Sequence, residues 1–288
     1  MRTVATVADV RAILRSAKAP IGFVPTMGFL HEGHLSLIRR CREECATVVV
    51  SIFVNPTQFG PHEDLNTYPR DLPRDLRLCE ADGVDLVFCP AVEEMYPAGH
   101  ATFVDVDRLG AGLEGESRPG HFRGVATVVA KLLGAVRPSR AYFGEKDYQQ
   151  LQVVRRLAQD LVLLVDIIGC PIVRETDGLA LSSRNVYLRG EDRRRALALF
   201  AALEDARAEV AKGQRNGEAL SRLMRDTLTA VDGVEVDYAV VVDPETLEPA
   251  HTLLGEARAL VAARVGGVRL IDNAALVPAT QEGVPGPP

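Results

Sequence analysis

The stretch IGFVPTMGFLHEGHLSLIRRCREEC, residues 21–45, decides the fold. An apolar, partly β-branched run passes through Gly28 and Gly33 into a segment where Leu35, Ile38 and Cys41 recur at helical spacing. A strand over 21–26 feeding a helix over 34–44 is the first half of a strand–helix–strand unit. The alternation continues, with strands expected over 47–54, 84–88, 140–143 and 161–168. Helices are expected over 72–81, 125–136 and 148–159. Near-continuous apolar strands separated by helices imply a Rossmann-like parallel sheet covered on both faces. Ligands of such sheets lie beyond the carboxyl ends of the strands, so the segments after Thr26, Val54 and Phe143 carry the interest.

From Val173 the texture changes. A polar turn, RETDGLALSSRN, precedes helical patterns over 190–212 and 218–231, then strands over 234–242, 257–264 and 268–271. Helices followed by strands suggest a smaller α+β domain. The expected division is 1–172 and 173–288, with a Pro- and Gly-rich tail, about 277–288, expected to be disordered.

Composition limits the function. The chain has 288 residues, 47% hydrophobic and 25% charged, with a net charge of −6. An acidic balance argues against a broad nucleic-acid surface. The longest apolar runs, such as ATVVVSIFV, fall short of the ~20 residues of a membrane span, and the N-terminus, with apolar residues at helical spacing, lacks a secretory apolar core. Five scattered cysteines without a CxxC pair point to free thiols in a reducing compartment, hence a cytoplasmic protein. Only four of the 33 basic residues are lysine, which draws attention to Lys146.

Four segments can carry chemistry. In PTMGFLHEGH, unsatisfied N–H groups at a helix start and the two histidines His31 and His34 converge in a manner suited to phosphate. Zinc binding fits poorly, because the histidines are three apart across a turn rather than four apart on a helix. SIFVNPTQF places the amides of Asn55 and Gln58 at a strand's carboxyl end, suited to a small hydroxy acid. AYFGEKDYQQL places Lys146, a flexible point charge, and Asp147 after another strand, and only one of Gln149 and Gln150 can face a cleft. DGLALSSRN gathers Ser182, Ser183 and Arg184 as donors for polyphosphate in a segment suited to a closing loop.

In order along the chain, PTMGFLHEGH, SIFVNPTQF, YPRD, RPGHFRGV, FGEKDYQQL and DGLALSSRN closely resemble the pantoate–β-alanine ligases, with weaker similarity through VDYAVVVD and RLIDN. The resemblance implies a HIGH-type nucleotidyltransferase domain with a C-terminal lid. It also implies a homodimer whose substrates are ATP, brought in with Mg²⁺, pantoate and β-alanine. A pantoyl-adenylate forms, pyrophosphate leaves, and the amine of β-alanine then displaces AMP without a covalent enzyme intermediate. By motif, Met27, Gly28, Phe29, Leu30, His31, Glu32, Gly33 and His34 would contact ATP, as would Gly144, Glu145, Lys146 and Asp147. Val173 would meet adenine through its backbone, and Leu181, Ser182, Ser183 and Arg184 would wrap the phosphates. Gln58 and Gln150 would hold pantoate, with Asn55 beside them, and His31, His34, Lys146 and Arg184 would be catalytic.

The chain departs from the family pattern in places. Two adjacent acidic residues usually follow YPR and are implicated in a metal site; here the pair reads Arg74-Asp75, leaving Asp75 as the one candidate ligand. Phe29 replaces a small residue and Leu181 a methionine. Arg118, His121 and Arg123 of RPGHFRGV flank the site without an assigned role. The competing readings are a nucleotidylyltransferase that keeps the nucleotide in its product, a non-catalytic nucleotide sensor, and a zinc hydrolase.

Overall fold

The computed structural model describes residues 1–61 and 63–278, so positions 279–288 of the tail lie outside the described residues. The chain divides into two compact units, one formed by residues 1–173 and 181–183, the other by residues 174–180 and those from 184 onward.

The first unit is a six-stranded parallel sheet with helices on both faces. Its elements are β1 (Arg2–Val4), α1 (Val7–Leu14), β2 (Ile21–Thr26), α2 (Glu32–Glu44), β3 (Thr47–Ile52), α3 (Leu72–Ala81), β4 (Leu86–Phe88), α4 (Val92–Met95), α5 (Asp107–Ala111), α6 (Glu114–Ser117), α7 (His121–Val136), β5 (Arg140–Gly144), α8 (Tyr148–Asp160) and β6 (Asp166–Cys170). Strand alternation sorts the apolar residues onto two faces. Phe23, Val49, Leu86 and Phe88 pack with α1, α7 and α8, whereas Val24, Val48, Val50 and Val87 pack with α2 and α3.

The strand order is β1-β4-β3-β2-β5-β6. The chain builds outward from β2 through β3 and β4, then returns to the other side of β2 with β5 and β6. The order therefore reverses between β2 and β5, where the crevice of an open parallel sheet receives ligands. The 27–34 turn and the 3₁₀ turn Glu145–Asp147 leave the carboxyl ends of these two strands.

Several boundaries differ from the sequence expectation. The N-terminal segment opens with a three-residue edge strand, β1, before its helix. The strand expected over 161–168 begins at Asp166. Residues 161–165 instead form a turn, with Val162 at φ 51° and Leu164 95% exposed, so an apolar run marked the wrong residues.

The second unit holds α9 (Gly190–Arg195), α10 (Leu197–Ala211), α11 (Gly217–Thr229) and the antiparallel sheet β7 (Val234–Val242), β8 (Ala257–Val265) and β9 (Val268–Leu276) around its own apolar core. The helix expected over 190–212 breaks at Ala196. β9 runs five residues past its expected end because its buried polar pair is satisfied. Asp272 takes a two-pronged pair from Arg174 at 2.6 and 2.9 Å, and Asn273 Oδ1 accepts from Arg258 Nε at 2.8 Å. Within this unit Arg193 bonds both Glu175 and Asp177, and Asn185 Nδ2 donates to Glu175 and Ala180, tying down the Asp-Gly turn. Among the described residues no helix is long and apolar enough to cross a membrane.

Candidate active site

At the end of β2 the chain turns sharply through Gly28 at φ 82° and Phe29 at φ 50°. A Cβ on Gly28 would lie 2.9 Å from Ile52 Cγ2 and 3.0 Å from Asp75 Oδ2, so only glycine suits both the φ and the space. The turn is gripped from α3. Asp75 Oδ2 accepts the N–H of Phe29 at 2.7 Å, and its Oδ1 accepts the N–H of Leu30 at 2.8 Å. Arg74 Nη1 donates to the Leu30 carbonyl at 2.8 Å, and its guanidinium lies 5.7 Å from the centre of the Phe29 ring.

These bonds correct part of the expected anion site. The N–H groups of Phe29 and Leu30 are spent on Asp75, and the Leu30 side chain is in the core. Helical geometry leaves Glu32 and Gly33, at the start of α2, as the backbone donors aimed outward. Asp75 is 1% exposed and engaged through both oxygens. Among the described residues no three or more His, Cys, Asp or Glu side chains gather to hold a metal ion. The residues present do not fit a protein-anchored metal, and Asp75 organises the turn instead.

His31 and His34 lie against each other with ring centroids 4.1 Å apart and planes tilted by 39°. Burial, the neighbouring His31 and the charge of Lys146 lower His34 to about 3, against the opposing pull of Asp147. Burial, Lys146 and Arg74 lower His31 to about 4. Both rings are neutral near pH 7. The His31 N–H meets His34 Nδ1 at 3.3 Å, so that nitrogen accepts and the proton of neutral His34 resides on Nε2. The His31 ring turns back onto the start of α2 as the cap of that helix, and its Nδ1, buried there, makes no hydrogen bond of full geometry among the described residues. Lys146 Nζ lies 3.5 Å from Asp147 on the turn after β5, and both charges act on the histidine pair.

The second turn, Pro56–Gln58, follows β3. Asn55 was expected to offer its amide to a substrate; its groups are committed within the protein. Its Nδ2 donates to Gln58 Oε1 at 3.1 Å and to the Gly124 carbonyl at 3.2 Å, while Oδ1 accepts from Tyr96 at 2.8 Å and from Thr57 at 3.0 Å. Asn55 thus orients Gln58, whose Nε2 faces Met27 Sδ at 3.3 Å and so joins this turn to the first.

RPGHFRGV, flanking by sequence, proves to be the support of this turn. His121 Nδ1 lies 2.8 Å from the Gln58 carbonyl and must carry the proton, because a carbonyl only accepts. Its Nε2 then accepts from Arg118 Nη1 at 3.1 Å, and Arg118 is fixed by two 2.7 Å bonds to Glu63. Burial and the Arg118 charge lower His121 to about 4. A Cβ on Gly124 would stand 2.3 Å from the Thr57 carbonyl oxygen, so a helix residue without a side chain lets α7 approach the turn. Arg123 packs over Phe103, 4.4 Å from its ring centre. The sequence signal for this support was the motif itself, unattached to a partner until the fold paired it with Gln58.

Of the two glutamines after Asp147, Gln149 is buried and fully used, donating to Leu109 and Gly112 carbonyls and accepting the Glu114 N–H. Gln150 is the more exposed of the pair. Val173 accepts the N–H of Leu181 at 3.0 Å, holding 181–183 to the first unit, whereas Arg184 belongs to the second unit.

A parallel sheet whose switch point carries paired neutral histidines at a helix start and a lysine on the neighbouring turn defines a nucleotidyltransferase-like α/β enzyme. The comparisons then narrow the class. The family model described as pantoate-beta-alanine ligase matches residues 1–275, so the chain belongs to the pantoate–β-alanine ligase family. Pantothenate synthetase of Roseiflexus sp. (strain RS-1) is 55% identical over 276 residues, 96% of this chain and 99% of that one. The crystal structure of pantothenate synthetase from Thermus thermophilus superposes with a TM-score of 0.92 at 53% identity, covering 96% of this chain and 100% of that one. The Francisella tularensis pantoate-beta-alanine ligase, solved with beta-gamma ATP and beta-alanine, superposes with a TM-score of 0.79 at 37% identity, covering 95% and 97%.

Proposed function

We propose that this ligase joins pantoate to β-alanine through a pantoyl-adenylate. A pantoate carboxylate oxygen attacks the α-phosphorus of ATP, and the bond to the bridging oxygen of pyrophosphate breaks. The uncharged amine of β-alanine then attacks the acyl carbon, gives up its extra proton, and AMP leaves with the electron pair. A carboxylate has no adequate leaving group, and adenylation supplies one. No side chain need act as a nucleophile, because catalysis of attack at phosphorus is mostly positioning and charge stabilisation.

The observation that carries this reading is the close, neutral histidine pair at the start of α2, within the electrostatic reach of Lys146 at the β2–β5 switch point. His34 would donate its Nε2–H to a phosphate oxygen, and His31, its Nδ1 turned onto the start of α2, would offer its own Nε2–H beside it. Lys146 would neutralise the leaving phosphates. The Asp147 carboxylate would hold the ribose, Glu32 and Gly33 offer N–H groups, and Gln58 and Gln150 orient pantoate. Mg²⁺ would arrive on the triphosphate rather than on a protein carboxylate. Residues 1–172 would bind ATP and pantoate, and residues 173–288, with Arg184, would act as a lid. A cytoplasmic homodimer without nucleic-acid partners completes the reading.

Nucleotide products, measured with ATP, Mg²⁺ and pantoate, with β-alanine present or omitted, test it. AMP and pyrophosphate are expected at steady state only with both substrates. Accumulation of a larger nucleotide conjugate would favour a nucleotidylyltransferase, and ATP binding without turnover would favour a sensor.

A further inference from the structure

Asp75 and Arg74, neighbours at the start of α3, make four contacts with two consecutive residues of the 27–34 turn. Asp75 takes the N–H groups of Phe29 and Leu30, while Arg74 takes the Leu30 carbonyl and covers the Phe29 ring. The turn needs such a hold. Phe29 sits at φ 50°, a region bulky residues rarely occupy, and such conformations persist where the surroundings over-determine them. The contacts are complementary in polarity: an anion on donors, a cation on an acceptor and a ring face. Arg74 also lies near enough for its charge to act on His31.

We propose that Arg74, Asp75 and Phe29 form one positioning clamp that presets the turn leading into His31 and His34 for its nucleotide, in place of a metal ion held at the start of α3. The two side chains of Arg74 and Phe29 act as one unit: the guanidinium has a ring to rest on because residue 29 is aromatic. The adenylation reading enters only as the identity of the ligand, ATP. Arg74 and Asp75 act through the turn and touch no reacting atom.

The test is ATP affinity by titration calorimetry, with KM and kcat measured beside it, on Arg74→Ala, Phe29→Ala and the double variant. Loss of a charged hydrogen bond and a cation–π contact should raise the ATP Kd about 5- to 20-fold in Arg74→Ala and about 2- to 5-fold in Phe29→Ala. The double variant should resemble Arg74→Ala within about 2-fold, because both remove the same contact. KM for ATP should rise while KM for pantoate stays put. Arg74→Lys, which keeps the charge without the planar fork, should recover less than half of the lost affinity. Full recovery by lysine, or additive effects in the double variant, would overturn the clamp in favour of a bare charge. Asp75→Asn, which leaves one turn N–H facing an amide NH₂, should weaken ATP at least as much as Arg74→Ala. An Mg²⁺ requirement beyond formation of Mg·ATP, abolished by Asp75→Asn, would also overturn it. If the wild type binds ATP without making AMP, the ligase reading fails while the affinities still judge the clamp.

Discussion

The starts of α2 and α7 invite comparison, for each carries a histidine, half-buried in α2 and buried in α7, that resists protonation. His31 and His121 are both lowered to about 4, and burial is the first cause for each. Their hydrogen bonding separates them. Both ring nitrogens of His121 are engaged, one on the Gln58 carbonyl and one on Arg118, whereas His31 Nδ1 is buried without a partner among the described residues. A depressed pKa therefore marks burial in both places, and the ring that is not fully spent on the protein is the one proposed to meet the nucleotide. One region is finished without its substrate and the other is not.

The largest effects should fall on the unfinished region. His34→Ala and Lys146→Ala should each lower the rate of AMP formation ~10²–10⁴-fold with the fold retained, as measured by steady-state kinetics and circular dichroism. Near wild-type turnover in either variant would remove that residue from the chemistry. On the finished side, His121→Ala should cost about 1–3 kcal/mol of stability by leaving the buried Gln58 carbonyl with only a long, 3.5 Å contact from Arg118. It should also reduce kcat/KM for pantoate about 10-fold while KM for ATP is unchanged. An equal loss on ATP would erase the distinction between the two helix starts.

Stability against pH sharpens the comparison further. The folded values of these histidines lie below the ordinary 6.5, so between about pH 6.5 and 4 the unfolded chain binds protons that the folded chain refuses. Their neutral burial is without proton-linked cost above pH 6.5, and stability falls as pH drops through that window. His121→Asn, whose amide can still donate to Gln58, should make the slope shallower by up to ~1.4 kcal/mol per pH unit, read from urea midpoints at each pH. The smallest effect belongs to Arg123→Ala, two residues further along α7. It should lose ~0.5–1 kcal/mol of ring contact with Phe103 and leave both substrate KM values unmoved.

The sheet was legible because strand and helix periods are local, and β2, α3 and β7 start and stop where their residues indicate. The histidine pair was legible for the same reason, being three residues apart. What holds the site was not. Asp75 meets Phe29 and Leu30 across 46 and 45 residues, and His121 meets Gln58 across 63, distances over which no pattern of spacing carries information. Asn55 misled because a polar side chain at a strand end looks the same whether it faces a ligand or its own turn. The end of β9 was obscured by Asp272 and Asn273, polar residues made acceptable only by Arg174, 98 residues away, and by Arg258 on the neighbouring strand.

β2 pairs with β3 along its whole length and with β5 at Gly22 and Phe23, so the strand that launches the histidine turn has neighbours on both sides. Amide protons of Phe23 and Val24 should exchange with solvent only on near-global opening, well after those of the edge strands β1 and β6. The histidines would then be mounted on the slowest part of this unit. Substrate entry and product departure would be timed by segments that open more readily, and the geometry of the proposed reaction would survive each cycle without being rebuilt.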